Sequence, residues 1–327
     1  MMKKWLSGAA ALVIAGGILA GCSDSAEKAG GDSGKKDGME TKFATIATGG
    51  ASGPYNIIAT SLAEMYSKEY GVNSKTQTTG ASVENINLMK QEKVEMAFVM
   101  SDVLSEAVNG EGNFDSKVDN VQQIASLYPN FVQVVTSEKS GINTFEDLKG
   151  KRIAVGAQNS GVEVNARNLL NGHGISYDDI KVDYLGYAEA ADALKAGKLD
   201  AAFLTSGIPN ASLMELGQGF DLKIVPIEKE KIEKIAKDQP YFTSQVIPAN
   251  TYGNKEDVPT AAIMNALVVR SDLSENDVYL LTKTFFENLD GLENAHQAAK
   301  DISIEKAEEG LIAPLHPGAK KYYEEQK

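Results

Sequence analysis

The chain has one cysteine, Cys22, so no internal disulfide can brace it. Histidine is scarce too. His173, His296 and His316 stand far apart, and the chain has no HExxH, paired CxxC or GxSxG pattern, so neither a metal centre nor a nucleophile with its base finds support. Positive charge is in deficit: 32 Lys and Arg stand against 45 Asp and Glu, a formal net charge of -13. That balance argues against nucleic acid and against an electrostatic hold on anionic lipid. The expectation is a protein that is not an enzyme and carries no cofactor and no metal.

What is present begins with an export signature. Lys3 and Lys4 precede an apolar run over 9–20, and Leu19-Ala20-Gly21-Cys22 follows, which reads as a secretory signal peptide over 1–21. A spanning helix needs about 20 apolar residues, more than the run supplies. Leu-Ala-Gly-Cys resembles the bacterial lipobox, in which cleavage leaves the cysteine first and its thiol carries lipid; Cys22 is therefore the expected lipidation site, with palmitate among the acyl chains. Residues 23–41 hold Gly, Ser, Lys and Asp with almost nothing apolar to bury, so 22–41 reads as a lipidated cysteine on a flexible tether. The expected location is extracytoplasmic, anchored to the cell membrane by lipid.

The remaining length suits two domains of ordinary size. Short β-rich runs alternate with helical patterns, as in α/β domains with mostly parallel sheets. Residues 43–47 read as a strand, 48–54 as a glycine-rich turn, and Ile57, Ile58, Leu62, Met65 and Tyr66 as a helix ending at Gly71. A strand over 72–78, a helix that Ser82 can cap and a buried strand over 94–100 continue the pattern. In the second half, Ser160 and Glu163 form a capping box that starts a helix running to about Asn171. Segments 131–136 and 266–270 look able to link two lobes, giving 42–132 plus 266–327 as lobe 1 and 133–265 as lobe 2.

Five polar turns each follow a strand and precede or begin a helix, the place where open α/β sheets bind ligands. The first holds Thr48, Gly49, Gly50, Ser52 and Gly53, with Tyr55 just beyond; the second ends at Ser82; the third is Ser101 and Asp102. In the second half they are Gln158, Asn159, Ser160 and Gly161, then Thr205 and Gly207, with Tyr187 a further candidate wall. Together they offer hydroxyls, amides and backbone N–H groups that could hold a carboxylate without arginine. Each also has a plainer role: Ser82 and Ser160 as N-caps worth about 1 kcal/mol, the glycines as turn formers, Tyr55 and Tyr187 as packing residues, and Asp102 as a cap or an acceptor for a ligand ammonium.

The series TGGASGPYN, TTGASVENINLM, Met100-Ser101-Asp102-Val103, FEDLKGKR, GAQNSGVEVNARNLL, ADALKAGKLDAAF and TSGIPN resembles, in order, the motifs of the TAXI family of TRAP transporter solute receptors. The resemblance runs from about Phe43 to the C-terminus. It implies a type II periplasmic-binding-protein fold, with two lobes, a hinge of two linking strands and a ligand cleft between them. It also implies an anionic or zwitterionic small-molecule solute such as glutamate, glutamine or 2-oxoglutarate, and a TRAP-type membrane permease as partner. An ABC importer or a surface ligand sensor could use the same fold.

Overall fold

The computed structural model describes residues 38–327; the apolar leader, Cys22 and nearly all of the tether lie outside them. β1 (Phe43–Ala47) leads through the glycine-rich turn into α1 (Pro54–Tyr70). Pro54 opens the helix where its missing N–H would have had no partner anyway. Ile58, Leu62 and Tyr66 recur at every fourth position and are buried together, and Gly71, at φ 68°, closes the helix in the left-handed region. β2 (Asn73–Gln77), α2 (Ser82–Lys90), β3 (Met96–Met100) and α3 (Ser101–Asn109) repeat the unit, and β1 pairs in parallel with β2 and β3.

Next comes β4 (Val121–Ser137), 17 residues long. β5 (Arg152–Ala154), α4 (Gly161–Gly172), β6 (Lys181–Asp183), α5 (Tyr187–Lys195), β7 (Ala201–Ser206), α6 (Ala211–Leu216), β8 (Leu222–Val225), α7 (Lys229–Ile235) and β9 (Thr243–Ile247) follow. β10 (Val258–Arg270) then returns alongside β4, and α8 (Glu275–Glu287), α9 (Leu289–Ala295) and α10 (Pro317–Glu325) finish the chain. Among the described residues no helix is long and apolar enough to cross a membrane.

Two expected caps form differently. Ser160 does cap α4, its Oγ accepting the Glu163 N–H at 3.1 Å, but Glu163 does not return the bond. Its carboxylate is taken instead by Tyr177 Oη at 2.8 Å and Arg167 at 3.2 Å, so only half of the capping box is made. Ser82 does not cap α2: the cap position is Ala81, and Ser82 Oγ accepts the Met100 N–H at 3.1 Å, tying the helix start to the end of β3.

The strands form one sheet in the order β2-β1-β3-β10-β4-β7-β5-β6, with β8 beside β4 and β9 beside β10. β4 and β10 are antiparallel from Arg270 opposite Val121 to Ala262 opposite Phe131, with bulges between Met264 and Ala266 and between Leu267 and Val268. Beyond Phe131, β4 continues between β7 and β8, while β10 on the far side of Ala262 pairs with β9. The chain therefore passes from the β1–β3 half of the sheet to the β5–β7 half in β4, and returns in β10. Segment 131–136 lies in the part of β4 that pairs with β7, and 266–270 in the part of β10 that pairs with β3.

Each half is covered on both faces at its centre, which is why β3 and β7 are buried at every position while the edge strands β2 and β6 are not. Successive residues point to opposite faces. Phe98 packs with Ile58, Leu62 and Phe285, while Val99 packs with Val83, Met89 and Leu104. In the other half, Phe203 joins Val134, Phe145 and Leu169, and Leu204 joins Leu194 and Leu213. Burying each of these side chains contributes roughly 1.5–3 kcal/mol.

The two halves also touch directly. Ser52 Oγ meets Ser212 Oγ at 2.9 Å, Ser105 Oγ meets Tyr241 Oη at 2.6 Å, and the Glu84 N–H donates to the Asn159 carbonyl at 3.1 Å. Asn165 Nδ2 of α4 donates to Asp102 Oδ2 of α3 at 2.6 Å, in a contact where both residues are buried. Burial drives the Asp102 carboxyl up to about 7 with help from Glu106, against the pull of the Val103 N–H, its own N–H and Asn165. A carboxyl raised in this way gives its full stabilisation below its unfolded value of about 4 and loses it as pH rises through about 7. Melting temperature should therefore fall more steeply between pH 5 and pH 8 in the wild type than in Asp102→Asn, which stays neutral throughout. Parallel pH profiles for the two proteins would show that Asp102 does not take up this proton in the folded state.

Candidate functional site

A cavity of about 420 Å³ opens where the two halves meet. Its walls come from the carboxyl ends of strands. Gly49, Gly50 and Gly53 follow β1, residues 78–81 follow β2, and Met100 ends β3; Ala157 and Ser160 follow β5, residues 184–187 follow β6, and Ser206 ends β7. Five helices have their N-cap or first-turn residues in this lining: α1 at Pro54 and Tyr55, α2 at Ala81, α3 at Met100, α4 at Ser160 and α5 at Gly186. The first N–H groups of a helix have no partner within it and carry partial positive charge.

Beneath the cavity a hydrogen-bonded relay ties α1 to both crossing strands. Asn265 Nδ2 donates to the Tyr128 carbonyl at 2.8 Å, which turns Asn265 Oδ1 towards its neighbours. That oxygen accepts from Asn130 Nδ2 at 2.8 Å and from Tyr55 Oη in a short bond, and Asn130 Nδ2 also reaches Tyr55 Oη at 3.3 Å. Across the cleft, Tyr187 Oη donates to the Thr205 carbonyl at 2.5 Å. Burial pushes the Tyr55 and Tyr187 hydroxyls well above the usual phenol range, so both remain protonated donors. Among the described residues Asn130 Oδ1, Tyr128 Oη and Thr205 Oγ1 find no partner. Each such atom costs roughly 1–3 kcal/mol in a finished core.

The sequence-derived candidates divide in two. Gly49, Gly50, Gly53, Tyr55, Ser160 and Tyr187 line the cavity together. The others lie outside its lining, and their contacts say why. Thr48 Oγ1 is held by the Gln77 carbonyl, Ser52 by Ser212, Ser82 by Met100, and Asp102 by Asn165. Ser101 is the buried first residue of α3. A Cβ on Gly161 would stand 2.9 Å from Met100 Sδ, and one on Gly207 would stand 2.6 Å from the Ala298 methyl, so these glycines serve close packing. The Gln158 carbonyl lies against Gly80, Asn159 gives its carbonyl to Glu84, and Thr205 presents its carbonyl to Tyr187.

Several lining residues escaped sequence reasoning. Asn130 is one of several amides in β4, with Gln122, Gln123 and Gln133, so its residue type alone did not mark it. Tyr184, Leu185, Gly186 and Glu189 follow the same strand–turn–helix pattern as the other turns, but β6 is three residues long with two of them exposed, so no apolar run announces it.

Solved structures share this architecture at low identity. A protein of Bordetella bronchiseptica RB50 matches with a TM-score of 0.53 and 19% identity, over 87% of this chain and 89% of that one. A structure described as a periplasmic transporter matches at 0.51 and 13%, over 88% and 93%. The substrate binding protein of an amino acid ABC transporter stands at 0.47 and 14%, over 79% and 97%. On the first two of these, the fold is the periplasmic-binding-protein-like arrangement of two lobes around a cleft. The profile of the NMT1-like family matches residues 46–326, nearly all of the described chain, and the protein belongs to that family.

Proposed function

We propose that this protein is an extracytoplasmic receptor that captures a small anionic or zwitterionic solute in the cavity and passes it to a membrane importer, with lipid on Cys22 holding it at the membrane. The observation that carries this reading is the cavity itself, enclosed between two halves of one sheet and faced by five helix N-termini. In this reading 42–132 plus 266–327 and 133–265 are the lobes, β4 and β10 are the hinge, and the contacts between halves belong to the closed form. Solute favours that form by touching both lobes at once. Glutamate, glutamine and 2-oxoglutarate are the first candidates on the sequence resemblance.

The same resemblance supports a TRAP-type secondary transporter as the partner. An ABC importer is the second reading, favoured by the name of the amino-acid-binding neighbour. Uptake into cells or vesicles carrying the receptor and its permease separates them: abolition by collapse of the ion gradient with ATP intact supports the first, and dependence on ATP alone supports the second.

Two measurements test capture. The soluble head, unfolded and refolded to strip bound solute, should show a selective rise in melting temperature with its ligand, about 2.7 kcal/mol at 100 times the dissociation constant. No shift across a wide panel of folded-protein assays would sink the receptor reading. Gly80→Ala tests closure. Its Cβ would stand 2.8 Å from the Gln158 carbonyl of the opposite half, a clash that exists only when the halves are together. The variant should bind the identified solute about tenfold more weakly, equivalent to about 1.4 kcal/mol, with little change in the melting temperature of the solute-free protein; unchanged affinity would rule out the proposed closure.

A further inference from the structure

We infer that the solute carries a single anionic group on a bulky apolar or aromatic body, held by backbone N–H groups at that head and mainly by side-chain carbon elsewhere. This rests on the receptor reading above, keeps its capture and delivery, and sets aside glutamate and 2-oxoglutarate among its first candidates.

The argument starts from charge. No lysine or arginine lines the cavity, and its one ionisable carboxyl is Glu189. An anionic group must therefore be met by helix N-termini, and three of the five are already answered by acids of the chain. The Glu84 carboxylate accepts the Gly80 N–H at 2.6 Å before α2. Asp102 sits in the first turn of α3. Glu189 of α5 folds back so that its Oε2 lies 2.7 Å from where a Gly186 Cβ would stand. α1 has no acid in its first turn, and the Glu163 carboxylate of α4 is turned away to Tyr177 and Arg167. The N-termini left for a ligand anion are those of α1 and α4, one on each side of the cleft. A single carboxylate can be held at either, whereas a second would add to the Glu189 charge with no cation in the lining to offset it.

The polar side chains point to the same conclusion. Tyr55 and Tyr187 spend their hydroxyl protons on Asn265 and the Thr205 carbonyl, Thr79 bonds Asn85 at 2.6 Å, and the Asn130 amide protons go to Asn265 and Tyr55. What these tyrosines offer a solute is ring. With Met100, Val162, Leu185 and the ring of Tyr184, they give the cavity walls of carbon. Its volume of about 420 Å³ falls within the roughly 300–1,000 Å³ of pockets for drug-sized ligands, and a glutamate or 2-oxoglutarate would leave much of it unfilled. Thr78, Ser160 and Ser206 keep hydroxyls at the lining and Asn130 Oδ1 has no partner, which leaves room for a small polar group on the solute, while the tyrosine faces suit a ring or branched chain stacked between them.

The test uses probes that share a head and differ in the tail. Phenylpyruvate and 2-oxoglutarate are both 2-oxo acids, one ending in a ring and the other in a second carboxylate; phenylalanine and glutamate form the matching amino-acid pair. Calorimetric titration of the full-length protein, refolded free of solute in detergent, should give the ring-bearing member of at least one pair an affinity about tenfold or more above its partner. Glu189→Arg should shrink that ratio by strengthening the dicarboxylate more than the ring-bearing probe. If 2-oxoglutarate or glutamate binds and in neither pair is the ring-bearing member the tighter, the inference is overturned and the receptor reading stands. If neither member of either pair binds the folded protein, the inference is overturned, and the receptor reading falls with it only when the wider thermal-shift panel is also silent.

Discussion

The antiparallel pairing of β4 with β10 is the constraint on which the rest of the structure depends. Over 121–131 and 262–270 the two strands close one side of the half-sheet begun by β1–β3, and beyond Phe131 and Ala262 they separate to different neighbours. That one parting produces two half-sheets, each with its own pair of apolar layers, and leaves between them a space into which strand ends and helix starts from both sides must point. No residue of the cavity had to be placed there by a long loop. The site follows from the topology.

Electrostatics in that space depends on backbone more than on side chains. An acidic chain with few spare cations can still hold an anion where helices begin, provided its own carboxylates do not occupy every such position. Glu84 and Glu189 do occupy two of them, and the turning of Glu163 towards Tyr177 and Arg167 leaves the start of α4 free. The half-made capping box thus has a positive role. A completed box would bring a fixed negative charge back over the N-terminus of α4, next to the cavity.

Much of the fold was legible because its strands and helices repeat a simple local grammar. The apolar run of β3, the fourth-residue spacing of α1 and the Ser160 cap of α4 are local signals, and each element formed within a few residues of its expected bounds. The site was legible only where a turn was rich in glycine and serine. Ser82 and Asp102 have the right chemistry, but long-range partners claim them: Met100 and Asn165 are 18 and 63 residues away in the chain. Asn130 and Asn265 went unread for the opposite reason, since what sets them apart from other strand amides is their bond to each other across 135 residues of chain. Tyr184, Leu185 and Gly186 were hidden behind a strand too short and too exposed to show an apolar pattern.

The relay from the Tyr128 carbonyl through Asn265 and Asn130 to Tyr55 gives the crossing strands a lever. Tyr55 stands in the first turn of α1 with its ring against the cavity and its hydroxyl on the amides of both strands, at the level where they part. A body that presses on that ring loads the fulcrum directly, without any change in the ladders on either side. Bending there is a matter of twist in a continuous sheet, which keeps its backbone bonds throughout. In the proposed receptor, occupancy of the cavity and the angle between the half-sheets would be two readings of one mechanical coordinate.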